Sequence, residues 1–480
     1  MRSLRPLRRD VHGGTGRVSR SITRQHIVIS EFATGDGLQP RMLALLAITL
    51  PRRCVTMSAS KVLDRSKIRE EIRVGTLVVP ARRTGEFLGR LRPHLLNVAR
   101  TRNVVDGAAP GTKQVLLSRT LPVANFAGAI GDAAARDWVA AELASGGATA
   151  GAHVVALDYD YFTAEEALKR VLPAGVDAPT SFEAAGHVAH LNLRPEHEPY
   201  KRVIGEILLD KVATVRTVVN KVGDIANEFR TYDLEILAGD PDTKVALKEQ
   251  GCHFEFDVRD VYWNSRLQAE HGRLLETVPA GSLVADCTCG VGPFSVPLAA
   301  KRRIRCYAND LNPRSVEYLR ANRDRNRCGD LLEVRGPGCA RDFLRGLVAE
   351  GLRPTHAIYN LPATGIELLD AFQNLELAAP VVVHCYCFAG ASKGGQAGQA
   401  AAVVADVKAR CEAAVGSPLP ESANGGLPLA SPDAAEAAAL AGEHFVLRWV
   451  RNVAPSKDMY CASFTVRPER GAKRAKVEAS

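Results

Sequence analysis

The sequence has no long apolar run. Its best apolar segment is "MLALLAITL" at residues 42–50, well short of the roughly 18 to 20 residues that a membrane-spanning helix needs. The eleven cysteines include no CxxC pair, which argues against a zinc site and against a disulfide framework. Because 46% hydrophobic and 24% charged residues are typical of globular domains, we expect a globular protein in a reducing compartment, with no membrane partner.

Acidic residues are scarce in the first thirty positions, which contain only Asp10 beside seven arginines and several Ser and Thr. This composition is typical of a mitochondrial transit peptide, and residues 1–57 are predicted to form a basic N-terminal arm. A disordered arm that touches nucleic acid is the alternative. A second start at Met57 would give a shorter cytosolic product, and the basic tail at 468–480 weakly resembles a nuclear-localisation signal. The predicted locations are therefore the mitochondrial matrix, the cytoplasm and the nucleus.

A chain of 480 residues is too long for one ordinary core, so two or three domains are expected. The net charge of +9 favours a polyanionic partner. The predicted blocks are an N-terminal domain at 58–150, a second α+β domain at 151–264 and a third domain at 265–467 with an Ala/Gly-rich insertion at about 391–442. Apolar strands alternate with helices in the third block, which predicts an α/β fold with a doubly wound parallel sheet.

Cysteine pairs with one residue between them occur in "CTC" (287–289) and "CYC" (385–387). Each pair lies in an apolar run that is typical of a strand. Residues two apart on a strand face the same side of the sheet, so both pairs are predicted to be buried structural cysteines with their thiols on one face.

The run "VADCTCGVGPF" at 284–294 is an apolar strand that ends in Asp286 and opens through Gly290 and Gly292 into a helix. Glycines let the backbone approach a ligand at the carboxyl ends of parallel strands. The third glycine of a dinucleotide fingerprint is missing. The next strand, "RIRCYAND", ends in Asp310, which is suited either to a ribose diol or to a helix N-cap. A third strand opens into "YNLPA", where Asn360 and Pro362 form either a ligand-facing loop or a simple turn.

The run "YWNSRLQAEHGRLL" at 262–275 predicts a helix that Ser265 caps and Gln268 completes as a capping box. Helical spacing places Glu270 on the flank of the apolar stripe and His271 near its centre. Glu270 is either a solvated charge or a proton acceptor. His271 is either a packed core residue or, with an unperturbed pKa near 6.5, a second candidate for the base.

These motifs, in this order, resemble the tRNA (guanine-37 N1) methyltransferase family of eukaryotes and archaea. The similarity extends over "GHVAHLNLR", "NEFRTYDLEILAG" and "VYWNSRLQAEH" upstream of "DCTCGVGPF", "ANDLNP" and "YNLP". It implies a Rossmann-like S-adenosylmethionine-dependent enzyme, preceded by two tRNA-binding domains, that acts as a monomer on tRNA. The nearest enzyme alternative is the related aminocarboxypropyl transferase of wybutosine synthesis. The alternative from another class is a tRNA-binding protein without catalysis.

The resemblance also assigns roles to residues. Glu270 would take the proton from guanine N1, Arg230 would stabilise guanine O6, and Asn360 with Pro362 would shape the pocket for the base. The cofactor-binding positions that it implies are His271, Asp286, Gly290, Gly292, Asp310, Leu311, Asp342 and Asn360.

Two alternatives stay open from the residues alone. Arg230 is either the guanine ligand or an ion-pair partner of Glu228 or Asp233. Tyr262 and Trp263 would either stack on an extruded nucleotide or pack at the domain junction.

Overall fold

The computed structural model describes residues 62–223, 229, 231, 233–390, 397–422 and 443–468. The predicted basic arm, the tail beyond residue 468 and Arg230 with Glu228 lie outside these residues. Within the described part of the chain, no helix has the length and apolar character needed to cross a membrane.

The first domain is built on a four-stranded antiparallel sheet with strand order β2-β3-β1-β4. Its elements are, in chain order, β1 (Glu70–Pro80), α1 (Thr84–Arg90), β2 (Val104–Asp106), β3 (Thr112–Leu116), α2 (Ala133–Ala144) and β4 (Thr149–Leu157). The Asp132 side chain begins α2 by accepting a hydrogen bond from the Ala135 N–H. One apolar core lies between the sheet and the two helices and includes Leu77, Phe87 and Val139.

The domain limit predicted at residue 150 falls inside β4, which pairs with β1 from Thr149 to Leu157. The limit lies in a Gly/Ala-rich segment, residues 142–155, which comprises the end of α2 and most of β4. Its side chains are small and one face of β4 is mostly exposed, so the sequence lacks the hydrophobic alternation that indicates a strand.

The second domain has a four-stranded sheet of order β5-β6-β7-β8, in which only β6 and β7 run parallel. Its elements are α3 (Ala164–Val171), β5 (Glu183–Ala185), β6 (Val188–Leu191), α4 (Lys201–Lys211), β7 (Thr217–Val222) and β8 (Asp233–Gly239). The first turn of α3 is fixed by a capping box between Thr163 and Glu166. Buried residues of α4, such as Ile204 and Ile207, share a core with residues of the first domain, including Ile68.

A hairpin of β9 (Lys244–Glu249) and β10 (Cys252–Asp257) follows the second domain. Backbone N–H groups of β10 donate hydrogen bonds of 2.9 Å to the side chains of Asn322 and Asn326 in the third domain. Phe254 and Phe256 of this hairpin belong to the third domain's core. The hairpin therefore packs with the third domain, although the predicted limit was at 264/265.

The third domain is the doubly wound α/β fold that the sequence predicts. Its seven strands have the order β13-β12-β11-β14-β15-β17-β16, with β13 to β15 parallel and β17 antiparallel to both of its neighbours. The elements are α5 (Gln268–Thr277), β11 (Leu283–Asp286), α6 (Ser295–Arg302), β12 (Arg305–Ala308), α7 (Pro313–Arg325), β13 (Leu332–Val334), α8 (Ala340–Ala349), β14 (His356–Tyr359), β15 (Val381–Gly390), α9 (Ala397–Val415), β16 (Val446–Ala454) and β17 (Lys457–Val466).

Helix α9 lies within the predicted insertion and covers one face of this sheet. Its residues Val404, Val407 and Cys411 are buried with Cys385 and Cys387 of β15. The "CYC" thiols thus share one face, as predicted. The "CTC" prediction was wrong in part, because Cys287 and Cys289 follow the end of β11 and pack into different cores.

Candidate functional site

The strand order of the third domain reverses beside β11, whose neighbours are β12 and β14. The loops that follow these three strands meet at their carboxyl ends, where open α/β sheets bind ligands. The Gly290 N–H donates to Oδ2 of Asp310 at 2.8 Å, and the Asn360 N–H donates to Oγ1 of Thr288 at 2.7 Å. The structure therefore brings together the three motifs that the sequence singles out.

The two glycines of the first loop have different uses. Gly290 has φ +54°, and a Cβ built there would meet no atom within 4 Å, so its backbone borders open space. Gly292 has φ +94°, and a Cβ there would lie 2.5 Å from Cδ1 of Leu319. Gly290 can therefore face a ligand, whereas Gly292 allows the loop to pack on α7.

The two acids at the strand ends have different environments. Asp286 is fully buried, and Ser295 at the start of α6 is the described neighbour that can donate to its carboxylate. Burial raises the pKa of Asp286 to about 7, and the charge of Asp310 adds to the effect while Ser295 opposes it. Asp310 accepts hydrogen bonds from the N–H groups of Gly290 and Asn312, which oppose the rise in its pKa that burial causes. The N-cap of α7 is Asn312, so the N-cap interpretation of Asp310 was wrong.

The remaining predicted ligand positions follow strands β12, β13 and β14 along the chain. Leu311 is 46% exposed, and Asp342 is exposed in the first turn of α8. Asn360 has a buried Oδ1 without a hydrogen-bond partner among the described residues. Pro362 is half-buried, and its carbonyl accepts the Phe388 N–H at 3.0 Å.

This set of groups fits S-adenosylmethionine. Asp310 at the tip of the second strand can accept from a ribose diol, and Gly290 leaves room for the ligand beside the backbone. The buried Oδ1 of Asn360, which lacks a partner among the described residues, is an acceptor that a bound ligand can satisfy.

Helix α5 begins differently from the prediction. Asn264 has extended backbone angles, and its side chain accepts the Arg266 N–H to start a short 3₁₀ turn at Ser265–Leu267, which continues into α5. Ser265 is already inside that turn. The Ser265 cap and its capping box with Gln268 were therefore wrong by one residue.

Glu270 is buried, with 6% of its surface exposed, so the interpretation as a solvated charge was wrong. Arg273 Nε donates to Oε1 and Oε2 at 3.0 and 2.9 Å, and Tyr386 donates its hydroxyl to Oε1 at 2.8 Å. Arg448 Nε lies 3.8 Å from Oε2. Burial acts to raise the pKa of Glu270, but the hydrogen bonds and charge of Arg273, with Tyr386 and Arg448, outweigh it and lower the pKa.

His271 is also buried and is held by Glu249, with 2.5 Å between Nδ1 and the carboxylate Oε1. Its ring meets Phe294 edge-on at 4.7 Å. Phe294 belongs to the glycine loop and lies 5.7 Å from the ring of Tyr386. One continuous cluster thus joins the Glu270 carboxylate to the predicted cofactor loop.

Tyr262 and Trp263, at the domain junction, have different environments. Tyr262 is 45% exposed. Trp263 packs against Phe254 and Phe256 with ring centroids 5.6 and 5.0 Å apart. The packing interpretation therefore holds for Trp263, and Tyr262 keeps an accessible ring.

Three residues around Glu270 were not predicted. Arg273 lies three residues along the same helix, and this spacing for an ion pair was present in the sequence. Tyr386 and Arg448 come from β15 and β16, and no local pattern connects either of them to Glu270.

Comparisons with known proteins agree with this geometry. A profile for the TRM5/TYW2 methyltransferase domain matches residues 245–391, and one for the TYW2 N-terminal domain matches residues 164–243. The first match begins in the β9–β10 hairpin, in line with the packing of that hairpin on the third domain.

Full-length relatives carry one common description. A tRNA (guanine(37)-N(1))-methyltransferase of Phytophthora infestans is 38% identical over 413 residues, which cover 84% of this chain and 91% of that protein. Proteins of the same description from Coprinopsis cinerea and Drosophila melanogaster are 33% and 34% identical, over 85% and 84% of this chain and 94% and 84% of their own lengths.

Solved structures support the fold. The structure of Trm5b from Pyrococcus abyssi aligns with a TM-score of 0.52 at 21% identity and covers 81% of this chain and 98% of its own. The complex of aTrm5 with tRNALeu aligns with a TM-score of 0.51 at 17% identity, over 82% of this chain and 99% of that one.

Proposed function

Because the chain belongs to the tRNA (guanine(37)-N(1))-methyltransferase family, we propose that it transfers the methyl group of S-adenosylmethionine to N1 of guanine 37 in tRNA. The observation that carries the proposal is the buried, anionic Glu270, joined through Tyr386 and Phe294 to the glycine loop. The net charge of +9 is suited to a polyanionic substrate.

Guanine N1 carries a proton at neutral pH, so a base has to accept it while the new bond forms. When bound, S-adenosylmethionine supplies a methyl group on a sulfonium, which leaves as a neutral thioether with the carbon–sulfur electron pair. Glu270 accepts the N1 proton in this proposal. Its lowered pKa keeps it deprotonated at neutral pH, so it is ready to act without prior loss of a proton.

The other roles rest on the family resemblance and on position. Arg230 donates to guanine O6, where negative charge develops as N1 loses its proton. Asn360 and Pro362 border the target base, and the hydrogen bond from the Asn360 N–H to Thr288 keeps this loop against the cofactor loop. Asp286, Gly290, Asp310, Leu311, Asp342 and His271 contribute to the cofactor site.

Methylation of defined tRNA transcripts tests the proposal. With labelled S-adenosylmethionine, a transcript with G at position 37 should be labelled and a matched transcript with A there should not. Equal labelling of both would refute the assignment. The second candidate is aminocarboxypropyl transfer, because residues 164–243 match a TYW2 N-terminal domain. Mass analysis of the modified nucleoside distinguishes this reaction from methyl transfer.

The base is tested by Glu270→Gln. The variant keeps the shape of the side chain but cannot take the proton, so single-turnover methyl transfer should fall on the order of 10²-fold or more. Cofactor affinity should stay unchanged in a calorimetric titration. Near-normal turnover would move the base to His271 or to water.

We also propose that the protein works as a monomer, as the family resemblance implies. Light scattering on an eluting sample should give a mass near 51.6 kDa. We further propose that the protein is located in the mitochondrial matrix, the cytoplasm and the nucleus. Fusion of residues 1–57 to a fluorescent protein should direct part of that protein to mitochondria.

A further inference from the structure

The two oxygens of the Glu270 carboxylate have unequal surroundings. Oε1 accepts from Arg273 Nε at 3.0 Å, from Arg273 Nη2 and from the Tyr386 hydroxyl at 2.8 Å. Among the described residues, Oε2 accepts one close hydrogen bond, from Arg273 Nε at 2.9 Å, and Arg448 Nε is 3.8 Å away. Oε1 is therefore saturated with donors, whereas Oε2 has capacity for one more.

We propose that Tyr386 is a positioning residue for the methyl transfer, which holds Oε1 of Glu270 and thereby leaves Oε2 as the atom that accepts the N1 proton of guanine. The inference rests on the proposed function. The proton moves from N1 to Oε2, and the carboxylate becomes a neutral carboxyl group. The N1 electron pair forms the new bond to the methyl carbon, while the methyl carbon–sulfur bond breaks and its electron pair leaves with sulfur.

The position of Tyr386 supports this role. Its side chain is completely buried on β15, and its ring lies 5.7 Å from Phe294 in the glycine loop. The same side chain thus contacts both the loop proposed to hold the cofactor and the carboxylate proposed to act as base. A phenol in this place can align the base with the cofactor loop because both contacts are made by one rigid ring.

The hydroxyl is a donor over the whole working pH range. Burial, together with the negative charge of Glu270, raises the pKa of Tyr386 well above its ordinary value, so the phenol stays protonated. The hydrogen bond therefore favours the anionic form of Glu270, and its loss makes the carboxyl group easier to protonate.

Other titratable groups face Glu270 or its partner from each packed element. Arg273 comes from α5, Arg448 from β16 and His384 from β15, and Cys461 of β17 lies 3.6 Å from Arg273. Burial acts to lower the pKa of Arg273, but the hydrogen bonds and charge of Glu270 outweigh it and raise the pKa, so Arg273 stays charged in the pH range of the assay. Burial, with the nearby His356 and Arg273, lowers the pKa of His384. Tyr386→Phe leaves all of these groups in place and removes only the donor.

The first measurement is the pH profile of single-turnover methyl transfer to the G37 transcript. Removal of a hydrogen bond to a charged group corresponds to a pKa change of about one to two units, so the acid limb of Tyr386→Phe should move up by that amount. Tyr460→Phe is the matched control. Tyr460 is fully buried on the other face of the same sheet, where its hydroxyl donates to the Gly390 carbonyl at 3.1 Å. The acid limb of the pH profile of Tyr460→Phe should coincide with that of the wild type.

The second measurement is a double-mutant cycle. In the Glu270→Gln background, Tyr386→Phe should change the residual rate by less than about twofold, because the phenol acts through the carboxylate. A purely structural role would slow both backgrounds alike. Cofactor and tRNA affinities, measured for each variant, should equal those of the wild type.

If Tyr386→Phe does not fold, a fluorinated tyrosine at this position keeps the shape and is a stronger donor. The acid limb should then move to lower pH. An unshifted limb in a folded Tyr386 variant, or an equal shift in Tyr460→Phe, would overturn the positioning role while methylation of G37 stands. A wild-type protein that does not methylate the G37 transcript would overturn the proposed function and, with it, this inference.

Discussion

The buried ion pair between Arg273 and Glu270 gives the sharpest stability prediction. Both side chains are less than 8% exposed, and Arg273 contacts both carboxylate oxygens. Arg273→Met keeps much of the apolar stem but leaves the carboxylate with Tyr386 and Arg448 alone. Removal of one partner from a buried pair costs about 3–5 kcal/mol, because the other charge stays desolvated.

For a domain of this size the cost corresponds to a decrease of roughly 6–20 °C in melting temperature. The pH dependence has a definite sign. In the wild type the pKa of Glu270 is lowered, so its contribution is present above its unfolded pKa and is lost as the pH falls. In Arg273→Met, uncompensated burial raises that pKa. The deficit of the variant should therefore be largest at neutral pH and shrink in acid.

Thermal unfolding followed by circular dichroism at pH 7.5 and 5, at one scan rate, measures both effects. Arg303→Met is the control, since Arg303 and its partner Asp330 are 61% and 60% exposed, and it should cost less than about 1 kcal/mol. The double variant Arg273→Met with Glu270→Met should recover much of the lost stability. An unchanged melting temperature in Arg273→Met, or a double variant as unstable as the single one, would refute the reasoning.

Three further outcomes are expected. Thr288→Val leaves the Asn360 N–H without its acceptor, which costs about 1–3 kcal/mol, so methyl transfer should slow on the order of tenfold. Thr288→Ser keeps the hydroxyl and should have a near-normal rate. Equal rates in both variants would contradict a role for this hydrogen bond. Asp310→Asn removes one of the two carboxylate oxygens that accept from the N–H groups of Gly290 and Asn312. The affinity for S-adenosylmethionine, measured by calorimetry, should fall at least about tenfold. An unchanged affinity would count against the proposed cofactor site. Burial lowers the pKa of His356 to about 4, so as the pH falls the unfolded chain binds a proton at this residue before the folded chain does. The free energy of unfolding should therefore fall by about 3 kcal/mol between pH 6.5 and 4. Melting curves of His356→Gln should show a smaller loss of stability in acid, and a loss equal to that of the wild type would contradict this.

Most of the cofactor loops could be predicted from the sequence because their signals are local. An apolar strand followed by an acid or a glycine turn identifies each loop, and parallel strands bring their carboxyl ends to one edge. Asp286, Gly290 and Asp310 meet there for that reason. The domain limit at residue 150 was placed inside β4 because many side chains of that strand are small and exposed.

The surroundings of Glu270 depend on contacts between distant parts of the chain. Helical spacing places Glu270 near an apolar stripe, but the hydroxyl of Tyr386 is 116 residues away in sequence. Whether a carboxylate on the flank of a helix is solvated or clamped depends on which strands pack over it, and that order is a property of the whole sheet. Local periodicity therefore placed Glu270 beside the apolar stripe, whereas the proposed role as base came from the family resemblance, and neither could give its ionisation.

The contacts that hold Glu270 also bear on how the proposed base would be restored after each turnover. A proton taken from guanine N1 would convert the carboxylate to a neutral acid beside the buried charge of Arg273, which would then lose its anionic partner. Because Arg273, Tyr386 and Arg448 lower the pKa of Glu270 in spite of its burial, the acid form is unfavourable at neutral pH. In the proposed mechanism, the same contacts that make Glu270 a weaker base would thus favour release of the proton after the transfer. A base of ordinary strength in this buried site would keep its proton longer. The ion pair with Arg273 would therefore make Glu270 a weaker base but would speed the return of its anionic form.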